Sequence, residues 1–297
     1  HNSGASITTG DSNTFLGHQS GDATTTADNN TGVGKDALSA NTTASGNTAV
    51  GSTALVSNTT GANSVAVGTG ALYNNTTASS NTAVGYQALL ENETGAGNVA
   101  VGDLSLDAST NGSNNVAVGS QAGSTGTSLS NCVFVGRQAG LNCTGNSNTF
   151  LGRSAGENVT SGTKNTIVGQ YNGNQGGLDI RTDSNRIVLS DGDGNYRLIS
   201  TNAGHIIINE TNQNLGQGGG WGQIAVEANA TNIHAAKFGG QGTGTTTAVL
   251  GITCPRSAGT SFAFLEAFSG MTSESATGDK EFELKGDGNA YADGSWN

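Results

Sequence analysis

A five-residue phrase returns along the N-terminal part of the chain, as in Asn13-Thr-Phe-Leu-Gly17, Asn47-Thr-Ala-Val-Gly51, Asn81-Thr-Ala-Val-Gly85 and Asn165-Thr-Ile-Val-Gly169. Its glycines are Gly17, Gly34, Gly51, Gly68, Gly85, Gly102, Gly119, Gly136, Gly152 and Gly169, spaced by 17 residues except for 16 between Gly136 and Gly152. The residue before each glycine is Val or Leu, and the residue two places earlier is Thr or Val. Side chains of a strand alternate with period two, so these two positions share one face. The residue between them is usually Ala and sometimes Phe (Phe15, Phe134, Phe150). Both faces are small or apolar, which predicts a strand buried on both sides, between its own coil and a neighbouring surface.

Asn opens the phrase at 13, 30, 47, 81, 98, 115, 148 and 165. Stacked at equivalent sites, such amides can bond from rung to rung as a ladder. The constant glycine suits positive φ or close backbone approach. A second short segment follows, as in Ser52-Thr-Ala-Leu55 and Tyr86-Gln-Ala-Leu89, and polar turns such as Asn58-Thr-Thr-Gly61 lead to the next copy. A repeat of this length is too short for a βαβ unit but suffices for one β-solenoid coil, read here as two short strands and two turns. With rungs ~4.8 Å apart, ten of them span roughly 45–50 Å. So narrow a coil buries little by itself, and association of several chains along the Ala/Phe face is expected to complete the core.

Beyond residue 175 the period disappears, and 20 of the 33 charged residues fall in 174–297. Strand-like runs lie at Arg186–Ser190, His205–Asn209, Gln223–Glu227, Thr246–Ile252, Ser261–Phe268 and Glu281–Lys285, separated by Gly-rich loops such as Leu215–Gly222. The expected organisation is a repeat region over 1–175, a junction over 176–203 and an all-β tip, a β-prism or interlaced domain, over 204–297. Receptor contacts are expected on the exposed loops of that tip, because the repeats must keep regular turns.

Composition narrows the function classes. Of 297 residues 48 are Gly and one is Pro; aromatics are 5% and charged residues 11%, with a net charge of −11. Low charge with almost no Pro is unlike a disordered chain and suits stacked β-structure. Scattered basic residues in an acidic chain argue against a nucleic-acid partner. No apolar run approaches the ~20 residues of a membrane span, and no secretory leader is visible, so membrane insertion is not expected of this chain.

Asn81-Thr-Ala-Val-Gly-Tyr-Gln-Ala-Leu89 and Asn63-Ser-Val-Ala-Val-Gly68 resemble the head repeats of trimeric autotransporter adhesins over roughly residues 10–173. That resemblance implies a left-handed parallel β-roll, three of which pack about a three-fold axis as a homotrimer; the repeat here is longer than that family's usual one. The stretch from Gly177 to Leu198 is similar to a junction of bacteriophage tail fibres, and Lys280–Trp296 is similar to segments preceding a cleavable intramolecular chaperone. This second resemblance implies a fibre held in the virion by other tail proteins, with a bacterial surface glycan or protein as receptor. A bacterial surface adhesin and a polysaccharide-degrading tailspike are the alternatives.

Candidate chemistry is sparse. The four histidines lack zinc spacing, no nucleophile-elbow motif occurs, and no cofactor is expected. Asp191, Asp193 and Asn195 resemble the start of a calcium loop but lack its downstream Glu, which leaves a tight turn as the other reading. Tyr196, Trp221 and Trp296 are candidates for stacking on a receptor sugar or for core packing. Cys132 and Cys143 either form a disulfide or fill small solenoid positions; with Cys254 the count is odd. The sequons at Asn41, Asn58, Asn75 and Asn92 follow from the repeat itself.

Overall fold

The computed structural model describes residues 2–200 throughout and, after them, strands at 206–208, 263–269, 279–285 and 290–292. All regular structure among the described residues is β. Each repeat phrase forms a three-residue strand: β1 Thr14–Leu16, β2 Thr31–Val33, β3 Thr48–Val50, β4 Val65–Val67, β5 Thr82–Val84, β6 Val99–Val101, β7 Val116–Val118, β8 Val133–Val135, β9 Thr149–Leu151 and β10 Thr166–Val168. Each pairs in parallel with the next, like residue on like, as in Thr48 on Val65, Ala49 on Ala66 and Val50 on Val67. The chain is therefore a parallel β-solenoid with one coil per repeat. The 16-residue coil keeps this register, Phe134 facing Phe150. Its missing residue falls in a surface turn, Cys143-Thr-Gly145 where other coils have Asn58-Thr-Thr-Gly61.

The glycine that ends each strand needs no side chain for two reasons. Gly85 has φ +142°, and a Cβ on it would run into the Gly102 carbonyl of the next rung. Strand, glycine and turn are thus fixed by backbone crowding along the stack.

The second segment is not a strand, contrary to expectation. Gln87 and Leu89 both have φ +53°, so the backbone alternates between ordinary and left-handed conformations. Its amides reach alternately backward and forward: Gln87 N–H donates to Thr69 O and Leu89 N–H to Ser105 O, both at 3.0 Å. Leu38, Leu55, Leu72, Leu89 and Leu106 all sit at φ 50–55°. A left-handed Leu costs about 1–2 kcal/mol, whereas fully burying its side chain contributes about 1.5–3 kcal/mol. All five are fully buried, so burial outweighs the strain.

The orientation of the strand face is a second correction. The middle residue points into the coil: Ala49, Ala66, Ala83, Ala100, Ala117, Phe134, Phe150 and Ile167 are fully buried within a single chain. They meet Ala37, Ala54, Ala71, Ala88 and the buried leucines to form one continuous core. The Ala/Phe face is thus the interior, and the Thr/Val and Val/Leu positions face outward, half-buried or exposed. One chain supplies its own core because Leu enters from the second segment, a contribution invisible while that segment is read as a strand.

The period ends after β10, but the stack does not. A small hairpin of β11 (Asn174–Gln175) and β12 (Leu178–Asp179) bulges from a longer coil, after which β13 (Ile187–Ser190) adds in parallel to β10, Thr166 facing Ile187. The sheet then turns antiparallel through β14 (Tyr196–Ser200) and β15 (Ile206–Ile208). Backbone contacts divide the chain into two units, His1–Gly222 and Gln223–Asn297. Within the second unit, β16 (Ala263–Ser269), β17 (Asp279–Lys285) and β18 (Ala290–Ala292) form an antiparallel three-stranded sheet. The expected strands at Gln223–Glu227 and Thr246–Ile252 lie outside the described residues.

Candidate functional site

The repeat residues build two asparagine columns. In the first, each Oδ1 accepts the backbone N–H of the next: Asn30 on Asn13 at 2.9 Å, Asn98 on Asn81 at 2.9 Å, Asn115 on Asn98 at 3.0 Å and Asn165 on Asn148 at 2.8 Å. Amide-to-amide bonding occurs in the first column between Asn115 Nδ2 and Asn98 Oδ1, at 3.0 Å, and runs on as a ladder in a second column, where Asn75 Nδ2 donates to Asn58 Oδ1 at 2.8 Å and Asn92 Nδ2 to Asn75 Oδ1 at 3.0 Å. Both columns converge on one turn carbonyl per coil: Gly61 O accepts from Asn47 and Asn58, and Gly95 O from Asn81 and Asn92. The asparagines of the second column are the sequon asparagines, Asn41, Asn58, Asn75 and Asn92. All four are completely buried, so their side chains are structural.

Cys132 occupies the first column and Cys143 the second. Both are free, and both thiols point at the Gly145 carbonyl, at 3.5 and 3.4 Å, in the places where two asparagine amides converge elsewhere. Of the two readings, filling of solenoid positions is the one observed. Burial pushes both thiols up, Cys143 to about 12 with a smaller contribution from Cys132.

Tyr196 is 8% exposed, packs edge-on to Tyr171 at 6.3 Å and donates its hydroxyl to Gly176 O at 3.2 Å. Its ring serves the core beneath the hairpin and offers no open face for a sugar. Trp221 and Trp296 lie outside the described residues. Asp191, Asp193 and Asn195 form a tight turn, with Asp191 accepting N–H groups of Asp193 at 3.1 Å and Asn195 at 2.9 Å and pairing with Arg197 at 2.8 Å. Desolvation raises the Asp191 pKa, but the bonds from Asn195, Arg197 and Asp193 outweigh it and hold the carboxyl down at about 2. Proton donors and a guanidinium occupy the carboxylate where a calcium ion would need it, so the turn reading accounts for these residues. Among the described residues, no group of three or more His, Cys, Asp or Glu side chains gathers around a common point.

The outward strand face is a surface feature that repeats on every rung from β1 to β10. Val50, Val65, Val67, Val118, Val133, Leu151, Val168, Ile187 and Leu189 are all more than a third exposed, and Val84 and Val101 are half-buried on the same stripe. Successive rungs place these side chains in straight rows, because the register never slips from β1 to β10. Sequence reasoning found these residues but took the Ala/Phe face, which lies inside the coil, as the outward one.

Fold and surface together define a parallel β-solenoid with an apolar stripe along its strand face. Among known proteins, no family model, curated sequence or solved structure matches the chain.

Proposed function

We propose that this chain is a structural and adhesive fibre segment that works as a homotrimer, with the Thr/Val stripe of each solenoid packed against its neighbours. The stripe carries the reading. Exposed Val and Leu side chains recur on successive rungs of one uncharged face, and apolar residues gathered on one face suit an association surface. Covering one partly exposed Val gains about 1 kcal/mol or less, but the gain recurs on every rung. A mechanical role fits a molecule whose order is spread evenly along hydrogen-bonded coils.

The kind of fibre follows from the resemblance of residues 177–198 and 280–296 to phage tail fibres. On that reading the chain belongs to a virion, contacts other tail proteins and attaches to a glycan or protein on a bacterial surface without chemical turnover. Fluorescently labelled protein should remain, after washing, on those strains of a bacterial panel that it recognises, without releasing reducing sugar from their capsule or lipopolysaccharide. Released reducing ends would make it a degrading spike, and retention on no strain would contradict the adhesive role.

A further inference from the structure

Among residues 2–200, Tyr73 and Tyr86, 39% and 52% exposed, are the exposed aromatic residues. Phe15 is partly buried, and Phe134, Phe150, Tyr171 and Tyr196 are buried. The two exposed tyrosines belong to adjacent coils and line one depression of about 290 Å³, together with Gly70, Asn74, Gln87 and Glu91. Neither is a repeat residue: the column of Tyr86 holds Lys35, Ser52, Thr69, Asp103 and Ser120 on other rungs.

Gly70 opens space in this depression. Its φ of +68° is not what requires glycine, because Thr53, Gln87, Leu104 and Gln121 hold the same column at φ 53–58° with full side chains. A Cβ on Gly70 would lie 3.3 Å from Gln87 Cγ and 3.8 Å from Leu90 Cδ1, both of which line the depression. Glycine here leaves space beside the tyrosines that a side chain occupies on neighbouring rungs. Across the site, Asn74 Nδ2 donates to Glu91 Oε2 at 2.7 Å, which fixes the carboxylate and leaves Oε1 for a ligand.

We propose that this depression is a saccharide subsite for one uncharged hexose or hexosamine ring of a bacterial surface glycan. A pyranose ring presents an apolar C–H face, which a Tyr ring can cover, and a rim of hydroxyls, which a carboxylate and amides can bond. The volume lies at the lower edge of the ~300–1,000 Å³ range for small-molecule sites, which suits a single ring of a longer chain. Glu91 is the one charged residue of the lining, so the site disfavours acidic sugars. This inference rests on the adhesive reading and locates binding on the repeats as well as the tip.

The test is saturation-transfer NMR of the full chain with neutral oligosaccharides released from the lipopolysaccharide and capsule of the same bacterial panel. At least one should bind. Gly70→Gln, which installs the side chain found on the next rung, and Tyr86→Ala should each weaken it about tenfold or more. Ser120→Ala, in the Tyr86 column two rungs along, should leave binding and melting temperature unchanged. Equal binding by the wild type, Gly70→Gln and Tyr86→Ala would overturn the subsite, as would the absence of any neutral ligand. A Tyr86→Ala chain with altered oligomeric mass would instead make the tyrosines an interface. Retention on bacteria unchanged by either variant would remove the subsite alone, whereas retention on no strain would remove the adhesive reading with it.

Discussion

Coils with Phe at the inward strand position carry Gly six residues later, and coils with Ala there carry Leu: Phe15 with Gly21 and Phe150 with Gly156, against Ala49 with Leu55 and Ala83 with Leu89. The structure explains the exchange, because a Cβ on Gly156 would collide with the Phe150 ring, and one on Gly140 with the Phe134 ring. Each such coil places one large side chain in the same volume, brought from either wall. Ala117 and Gly123 are the exception, the space beside Gly123 being taken by Leu106 and Phe134 from the rungs on either side. Phe150→Ala alone should destabilise by about 3–5 kcal/mol, and Gly156→Leu alone by about 1–3 kcal/mol or more through overpacking. The double variant should return to within roughly 1.5 kcal/mol of wild type in denaturant unfolding, since it recreates the Ala/Leu coil. Additive losses would mean that the two sites do not share a volume.

At the scale of the coil, stability rests on the convergence of two asparagine columns on one buried carbonyl. Cys132 breaks the first column in the eighth coil: its own N–H still bonds Asn115 Oδ1 at 3.0 Å, but a sulfur stands where the next Asn oxygen belongs. Cys132→Asn should restore an oxygen acceptor for the Asn148 N–H and a strong donor to Gly145 O. A gain of about 1 kcal/mol is expected, one good hydrogen bond replacing a weak one, read as a higher melting temperature. A fall would show that the site has been shaped to the thiol. The strand, its glycine and the first asparagine column were legible in the sequence because each has a familiar local cause: period two, positive φ and a stacked amide. The second segment was not, because Leu rarely adopts left-handed φ, and only neighbouring coils make its burial outweigh the strain. The second column was masked by its coincidence with a glycosylation signal. The eleventh parallel strand, β13, was legible as a strand but not as a rung, since the β11–β12 hairpin stretches its coil beyond the repeat length. Gly70 and Tyr86 could have been noticed as departures from their columns, but their meeting in one depression needed the stacking of coils.

At the scale of the whole molecule, the ion pairs among the described residues are few along the regular coils and gather around the longer coil and the hairpin beyond it, where Arg181–Asp179, Arg186–Asp183 and Arg197–Asp191 are paired. The strand face carries no charge between β1 and β10, which is the surface expected of a face covered by a like surface. Val84→Asp would introduce a charge in the middle of that stripe. In a trimer it should reduce assembly and lower the melting temperature, because an unpaired charge is costly to bury; in a monomer the half-exposed position should tolerate it. The most direct measurement is the mass of the wild-type chain by light scattering on a sizing column. A trimer is expected, three times 29.4 kDa or 88.2 kDa. A well-folded species of 29.4 kDa would contradict it, leaving a solenoid whose apolar stripe faces water.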